Sequence, residues 1–169
     1  EVTRHNWGLL IMQPYDTGPK GIALIKEFEG FSAIPYQCPA GIWTIGYGAT
    51  KDREGNPVTI NHPDVTDKQA TELLKKDIIE AEKAVKDLTS TPLCQFQFDA
   101  LVSFCYNLGY GSYESSTLRK VVNNRDFDKA SDEFARWIYA SGKPLNGLIK
   151  RRAAEAALFM HEPSASEDV

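Results

Sequence analysis

Three residues in one short segment carry side chains that could act together in catalysis. Glu29, Cys38 and Thr44 follow one another at intervals of nine and six positions, within the segment EGFSAIPYQCPAGIWTIGYG. A carboxyl group can donate a proton, whereas a thiol and a hydroxyl can hold or polarise a water molecule. Cleavage of a glycosidic bond requires both actions. The segment is therefore a candidate site for cutting a sugar chain.

The position of the carboxyl group is set by a predicted helix. Pro19 suits the first turn of a helix and Gly30 suits its end. One face of this helix is formed by residues at helical spacing: Ile22, Ile25 and Glu29. Glu27 points away from that face, so we expect Glu29 at the edge of the buried side and Glu27 in solvent. The alternative for Glu29 is a carboxylate in a surface ion pair.

The thiol and the hydroxyl lie in a segment that predicts a small sheet. Residues 31–61 are rich in Gly, Pro, Tyr and Thr, and WTIGYG is typical of a short strand broken by glycine. REGNPVTI predicts a turn followed by another strand. We expect a twisted antiparallel sheet of two or three strands. Because a free thiol with a pKa of ~8.5 is only a few per cent ionised at neutral pH, we expect a neutral Cys38 thiol to position the water, with Thr44 holding the same water by its hydroxyl; a lowered pKa of Cys38 is the other reading. Cys38 could instead be a small loop residue without a chemical role, and Thr44 a strand residue that only packs.

The rest of the chain predicts helices. A capping box formed by Thr66 and Gln69 begins a long amphipathic helix that runs to Leu88. The segment 95–108 is apolar on every side, which is typical of a central buried helix, and Gly109 and Gly111 should end it. Three further helices are predicted: 116–122, 126–139 and 147–160. The fold class is therefore α+β and mainly helical, with a long helix that could join a sheet lobe to a helical lobe.

Composition excludes several classes of function. A net charge of -4 over 169 residues gives no basis for general nucleic-acid binding. The short apolar patch at 7–12 is far below the ~20 residues of a membrane span, so no stable membrane insertion is expected. The three histidines are scattered and match no zinc spacing, so no metal and no cofactor is expected. Three cysteines are an odd set, which indicates free thiols; Cys94 and Cys105 read as core residues.

Four segments together resemble a known family. They are FEGF, PYQCPAGIWTIGYG, ALVSFCYNLGYG with SSTLRK, and ARWIYASGKPLNGLIKRR, and they span most of residues 20–160. The chain resembles the phage-type lysozymes, the muramidases of tailed phages. The resemblance implies a lysozyme-like domain at 19–161, with a β lobe at about 31–61 and a helical lobe at about 66–161. Residues 1–18 would form an N-terminal arm and residues 162–169 a disordered tail.

The resemblance also implies an activity and a set of site residues. Members cleave the β-1,4 bond between N-acetylmuramic acid and N-acetylglucosamine in a cleft between the lobes. By motif position, Glu29 is the catalytic acid, Cys38 takes a place where many members carry Asp, and Thr44 is the family's threonine. Positions along the glycan groove are implied for Tyr106, Asn107 and Thr117, and Arg151 is assigned to substrate binding with them. An aromatic core residue and a helix cap are the plain alternatives for the first two.

The basic run at 150–152 has two readings. By resemblance to the family's buried arginine, Arg151 or Arg152 could reach Glu29 across the cleft. The other reading is a solvated face of the last helix.

Competing functions follow from the same residues. A lytic transglycosylase would cut the same bond without water, and Cys38 in place of a carboxylate keeps that reaction open. A peptidoglycan-binding module without activity is disfavoured because all three motif positions hold competent side chains. The setting implied by the resemblance is an endolysin: a monomer that accumulates in the host cytoplasm and reaches periplasmic peptidoglycan after holin-mediated release. A bacteriocin or effector domain is the other role considered.

Overall fold

The structure, a computed structural model, describes residues 16–162 of the chain. Residues 1–15, with most of the predicted arm, and residues 163–169, with most of the predicted tail, lie outside the described part. The predicted fold class is confirmed, because 56% of the described residues are helical and they include a small antiparallel two-stranded sheet. Within the described part, none of the helices is both long and apolar enough to span a membrane.

The chain divides into two compact units, one of residues 22–80 and one of residues 16–21 with 81–162. The first of these, unit A, contains most of helix α1 (Pro19–Glu29), strands β1 (Ser32–Gln37) and β2 (Trp43–Gly46), and helix α2 (Asp67–Asp77). The second, unit B, contains most of helix α3 (Ile79–Leu88) and all the later elements. Its helices are α4 (Gln95–Leu108), α5 (Tyr110–Ser115), α6 (Thr117–Asn123), α7 (Phe127–Glu133) and α8 (Asn146–Phe159).

The sheet of unit A is a two-stranded antiparallel hairpin. Tyr36 pairs with Thr44 in the register of β1 and β2. The strand predicted from REGNPVTI is reduced to one isolated bridge between Lys51 and Pro57. Proline has no backbone N–H to donate, which limits further pairing there. Of the two or three strands predicted for this sheet, the structure therefore contains two.

Strand β2 lies against helix α2 at a glycine. Gly46 has φ +64, and a Cβ at this position would lie 2.8 Å from the Cβ of Ala70. Only glycine accepts both the positive φ and the close approach without strain. The close approach therefore positions the segment TIGYG, with Thr44, on the buried face of α2.

The long helix predicted at 66–88 is instead two helices with a break at one residue. The predicted capping box is confirmed, since Thr66 N donates to Gln69 Oε1 at 2.9 Å and Gln69 N to Thr66 Oγ1 at 3.2 Å. Helix α2 ends at Asp77, and Ile78 caps it through its N–H. Because Ile78 is buried, the apolar periodicity continues through the break and conceals it.

Unit B is built around α4, whose predicted bounds are confirmed. Phe104 makes edge-to-face contacts with Phe134 at 5.7 Å and with Trp137 at 5.4 Å between ring centroids. Gly109 ends α4, but the prediction that Gly111 also ends it is wrong, because α5 begins at Tyr110.

The helix predicted at 126–139 is also shorter than expected. The α-helix ends at Glu133, a 3-10 turn covers Phe134–Arg136, and a second small hairpin follows with strands β3 (Tyr139–Ala140) and β4 (Lys143–Pro144). Ser141 and Gly142 both have positive φ, at 50° and 76°, which is the geometry of a tight hairpin turn. The apolar spacing of the sequence did not reveal this turn.

Candidate active site

Glu29 is the last residue of α1, and its surroundings match the prediction. The helix ends because Gly30 adopts φ +74 while its N–H donates to the Lys26 carbonyl at 3.0 Å. Glu29 is half-buried and Glu27 is exposed, as the helical spacing predicted. Only Gly30 and Phe31 separate Glu29 from the start of β1.

Cys38 lies at the start of the turn that joins β1 to β2. Its N–H donates to the carbonyl of Ile42 at 3.0 Å, and its own carbonyl accepts from the N–H of Gly41 at 2.8 Å. Gly41 has φ +76, which closes the turn. The turn therefore holds the backbone of Cys38 at a fixed position while its side chain remains half-buried.

Thr44 lies on β2 and is almost fully buried, with 4% of its surface exposed. Cys38 is bonded across the hairpin to Ile42, and Tyr36 pairs with Thr44. Side chains at alternate positions of a hairpin share one face, so Cys38 and Thr44 lie on the same face. The hydroxyl of Thr44 donates to the carbonyl of Ile42 at 3.0 Å.

The turn also changes the chemistry of the sulfur. Backbone hydrogen bonds from Ile42 and then Ala40 hold the pKa of the Cys38 thiol below its usual value, and the side chain of Thr44 acts in the same direction. The single hydroxyl proton of Thr44 can therefore serve either the Ile42 carbonyl or the sulfur. The structure thus brings Cys38 and Thr44 together, and the lowered pKa increases the fraction of Cys38 that is present as thiolate.

The four other candidate residues lie in unit B. Tyr106 is half-buried near the end of α4, and the side-chain oxygen of the exposed Asn107 accepts a hydrogen bond from Arg152 Nη2. Thr117 is exposed at the first position of α6. It lines a cavity of about 330 Å³ whose wall includes Glu133, Arg136 and Trp137. An aromatic ring together with charged and hydroxyl groups suits a polar ligand such as a sugar.

Arg151 and Arg152 are buried and share one carboxylate. Arg151 Nε lies 3.3 Å from Glu155 Oε1, and Arg152 Nη1 lies 3.0 Å from Glu155 Oε2. Burial raises the pKa of the Glu155 carboxyl, and Arg152, Ser103 and Arg151 oppose that rise. The alternative of a solvated basic face is wrong for these two arginines, whereas Lys150 is exposed. The guanidinium group of Arg152 also lies over the ring of Phe104, 5.2 Å from its centroid.

Sequence reasoning missed a cluster around the motif tyrosine. Tyr47 is buried, its hydroxyl donates to Asp67 Oδ1 at 2.5 Å, and Lys26 Nζ lies 5.0 Å from its ring centroid. Asp67 falls within the helix predicted at 66–88 and Lys26 within the helix predicted between Pro19 and Gly30, but neither was singled out. No local pattern links residues of three different elements, so the sequence carried no signal for this contact.

One cavity of unit A is lined by none of the three motif residues Glu29, Cys38 and Thr44. It has a volume of about 530 Å³ and lies between the turn at 52–54, the segment 62–65 and one face of α2. Among the described residues, no group of three or more His, Cys, Asp or Glu side chains is arranged to hold a metal ion.

Comparison with known proteins identifies the family. The Phage lysozyme family model matches residues 26–155, well over half of the chain. An endolysin of Acyrthosiphon pisum secondary endosymbiont phage 1 is 43% identical, over 83% of this chain and 94% of the relative. An endolysin of Bacillus phage B103 is 42% identical over 83% of this chain but 52% of the relative, so the chain spans about half of that protein's length.

A solved structure agrees with these relatives. The crystal structure of a P22 lysozyme mutant superposes with a TM-score of 0.81 and 34% identity, covering 86% of this chain and 99% of the other. The resemblance inferred from the motif segments and the lysozyme-like fold are both confirmed. The chain belongs to the phage lysozyme family.

Proposed function

We propose that Glu29, Cys38 and Thr44 are the catalytic groups with which this chain hydrolyses the β-1,4 bond between N-acetylmuramic acid and N-acetylglucosamine. The chain is a lysozyme of the endolysin type, and peptidoglycan is its substrate. The observation that carries the assignment is local. A tight turn brings the sulfur of Cys38 and the hydroxyl of Thr44 together in the hairpin that begins three residues after Glu29.

Glu29 supplies the proton for the leaving group. Its carboxyl group transfers a proton to the glycosidic oxygen as the bond to the anomeric carbon breaks and positive charge develops on the sugar. Helix α1 fixes the backbone position of Glu29. Because the side chain is only half-buried, its carboxyl group can reach a bound glycan. Glu27 is exposed and lies on another face of α1, which disfavours it for the same role.

Cys38 and Thr44 hold the attacking water. When Thr44 donates its proton to the Ile42 carbonyl, its oxygen keeps a lone pair that accepts a hydrogen bond from the water. The water oxygen then attacks the anomeric carbon from the face opposite Glu29, and its proton passes to the sulfur of Cys38. The lowered pKa of Cys38 increases the fraction of thiolate that can accept that proton. The product has the inverted anomeric configuration.

The groups in unit B are proposed to bind the glycan. Tyr106 offers a ring on which a sugar can stack, Asn107 an amide for an acetamido group, and Thr117 a hydroxyl at the rim of its cavity. Arg151 is 4% exposed and bound to Glu155, which favours an orienting role over direct contact with the substrate.

The cellular setting is part of the same proposal. The protein acts on the cell wall in phage lysis. We propose that it does so as a monomer, held in the host cytoplasm before lysis and released to the periplasmic wall by a holin. A bacteriocin or effector domain, the other role considered, has no observation in its favour.

Product analysis tests the reaction. Purified peptidoglycan is digested in water labelled with ¹⁸O, and the fragments are analysed by mass spectrometry. Hydrolysis predicts reducing N-acetylmuramic acid ends that contain one labelled oxygen. Unlabelled anhydro ends, which are one water lighter, would contradict the proposal and support a lytic transglycosylase.

A further inference from the structure

Lys26, Tyr47 and Asp67 form a closed cluster in unit A, in which every pair is in contact. Lys26 Nζ lies 3.1 Å from Asp67 Oδ1 and 5.0 Å from the centroid of the Tyr47 ring. The hydroxyl of Tyr47 donates to the same Asp67 oxygen at 2.5 Å. The three residues belong to α1, to the turn after β2 and to the first turn of α2. We call them the anchoring cluster.

Two residues of the anchoring cluster are each three positions along the chain from a proposed catalytic residue. Lys26 precedes Glu29 by three residues in α1, so the two residues share one face of the helix. Tyr47 follows Thr44 by three residues, directly after the end of β2 at Gly46. A contact between Lys26 and Tyr47 therefore connects the last turn of α1 to the strand that carries Thr44.

The chemistry of the cluster is more specific than that of a surface ion pair. Asp67 is at the N-terminus of α2, where the helix dipole stabilises a carboxylate. Its hydrogen bond raises the pKa of Tyr47 to about 12, and Tyr47 and then Lys26 lower the pKa of Asp67. Tyr47 is 9% exposed, and its ring also packs against Phe31, with centroids 5.4 Å apart.

The ion pair itself is open to solvent, with 23% of the Lys26 side chain and 64% of the Asp67 side chain exposed. Exposed pairs contribute little to stability. The short hydrogen bond from the buried Tyr47 hydroxyl to one oxygen of Asp67 instead restricts the position of Tyr47 relative to the start of α2. We propose that Lys26, Asp67 and Tyr47 are positioning residues, which fix the separation of Glu29 from Thr44 during the reaction. This inference rests on the proposed function of those two groups.

The test measures kcat and KM separately on soluble peptidoglycan fragments of defined length. Tyr47→Phe removes one oxygen atom and keeps the ring, and Asp67→Asn removes the charge and keeps the shape. Each should lower kcat by about ten- to a hundredfold, because a small misplacement of reacting groups is costly, and should leave KM within about twofold. Lys26→Met should likewise lower kcat and leave KM nearly unchanged. Lys26→Arg keeps the positive charge and should retain most of the parent kcat.

The double variant with Tyr47→Phe and Asp67→Asn separates positioning from a general loss of structure. If both residues act through one hydrogen bond, the double variant should be no slower than the slower single variant. Lys75→Met, at an exposed position of α2, is the matched control and should keep the parent kcat. Circular dichroism on every variant identifies any that fails to fold. If Asp67→Asn fails to fold, the kcat values of Tyr47→Phe, which removes only one oxygen atom, and of Lys26→Met decide whether the cluster positions the catalytic groups.

Three results would overturn the inference. Tyr47→Phe and Lys26→Met could keep the parent kcat, or the variants could change KM alone. The third result is a double variant whose loss of kcat equals the product of the two single losses. Glu29→Gln is assayed in parallel. If Glu29→Gln is inactive while the cluster variants keep the parent kcat, only the positioning inference fails. If Glu29→Gln keeps its activity, the proposed function fails independently of the cluster.

Discussion

The hydroxyl of Thr44 lies 3.0 Å from the carbonyl oxygen of Ile42, and the same turn supplies the hydrogen bonds to the sulfur of Cys38. One backbone turn thus orients both of the groups that would hold the attacking water. Since the hydroxyl has one proton and two acceptors within reach, the position of that proton decides whether Thr44 offers the water a lone pair.

Removal of the Thr44 hydroxyl should slow the reaction without weakening substrate binding. Thr44→Val keeps the branched shape in the buried site, and we expect kcat to fall on the order of a hundredfold with little change in KM. Thr44→Ser keeps the hydroxyl and should retain most of the activity. Steady-state kinetics on soluble fragments measures both. Equal loss in the two variants would mean that shape, rather than the hydroxyl, matters at this position.

The Cys38 thiol should ionise at a lower pH than an ordinary cysteine. The pKa of Cys38 is lowered chiefly by a backbone hydrogen bond from Ile42, so its alkylation by iodoacetamide should be half-maximal at a lower pH than that of a cysteine in an unstructured peptide. Peptide mass spectrometry across a pH series follows each cysteine separately. Cys105 is the internal control, because its burial raises the pKa of its thiol and shields it from the reagent.

Thr44→Val should move the Cys38 alkylation midpoint upward, because the threonine side chain is one of the causes of the lowered pKa. A midpoint at or above the ordinary value in the parent protein would remove the basis for a thiolate that accepts a proton. An unchanged midpoint in Thr44→Val would show that the hydroxyl serves the Ile42 carbonyl alone.

Asp99 should make unit B less stable as the pH rises. Its buried carboxylate accepts from Gly18 N at 2.8 Å and Gly21 N at 3.1 Å, yet burial raises the pKa of Asp99 above its unfolded value. A raised folded pKa means that the contribution to stability is complete below the unfolded value of about 4 and is lost as the pH rises through the folded pKa.

Asp99→Asn removes this titration, so the parent protein should lose free energy of unfolding relative to the variant as the pH increases from about 4 towards neutrality. Urea denaturation at several pH values measures the difference. Asp132→Asn, at an exposed position, controls for the loss of one negative charge. A difference that stays constant, or that grows in favour of the parent with rising pH, would contradict the assignment.

The shared carboxylate of Glu155 should be costly to lose. Glu155 is fully buried between Arg151 and Arg152, so Glu155→Gln removes the carboxylate charge that these two buried guanidinium groups share. The expected loss is about 3–5 kcal/mol in the free energy of unfolding. Asp87→Asn breaks the exposed pair with Lys83 and should cost about 0–1 kcal/mol. Equal costs in urea denaturation would mean that the buried pair contributes no more than a surface one.

Local signals in the sequence predicted much of the fold. Proline and glycine mark the two ends of α1, the capping box marks the start of α2, and an apolar surface on every side marks α4. Each of these depends on residues within a few positions of one another. The spacing of Ile22, Ile25 and Glu29 also predicted the half-buried position of the carboxyl group.

The features that were not predicted depend on contacts between distant residues or on backbone geometry. The break at Ile78 leaves the apolar periodicity intact, and the turn at Ser141 and Gly142 interrupts a segment whose apolar spacing suits a helix. The anchoring cluster joins residues 41 positions apart, Lys26 and Asp67. Hydrogen bonds that lower the pKa of Cys38 come from the backbone, which has no sequence signature.

The central claim is that one carboxyl group donates the proton. Glu29→Gln keeps the size and most hydrogen bonds of the side chain but cannot act as an acid, and Glu27→Gln, two residues away and exposed, is the matched control. The rate of turbidity loss of a bacterial cell-wall suspension measures both variants beside the parent. We predict no measurable clearing by Glu29→Gln and parental clearing by Glu27→Gln; clearing by Glu29→Gln at the parental rate would contradict the account.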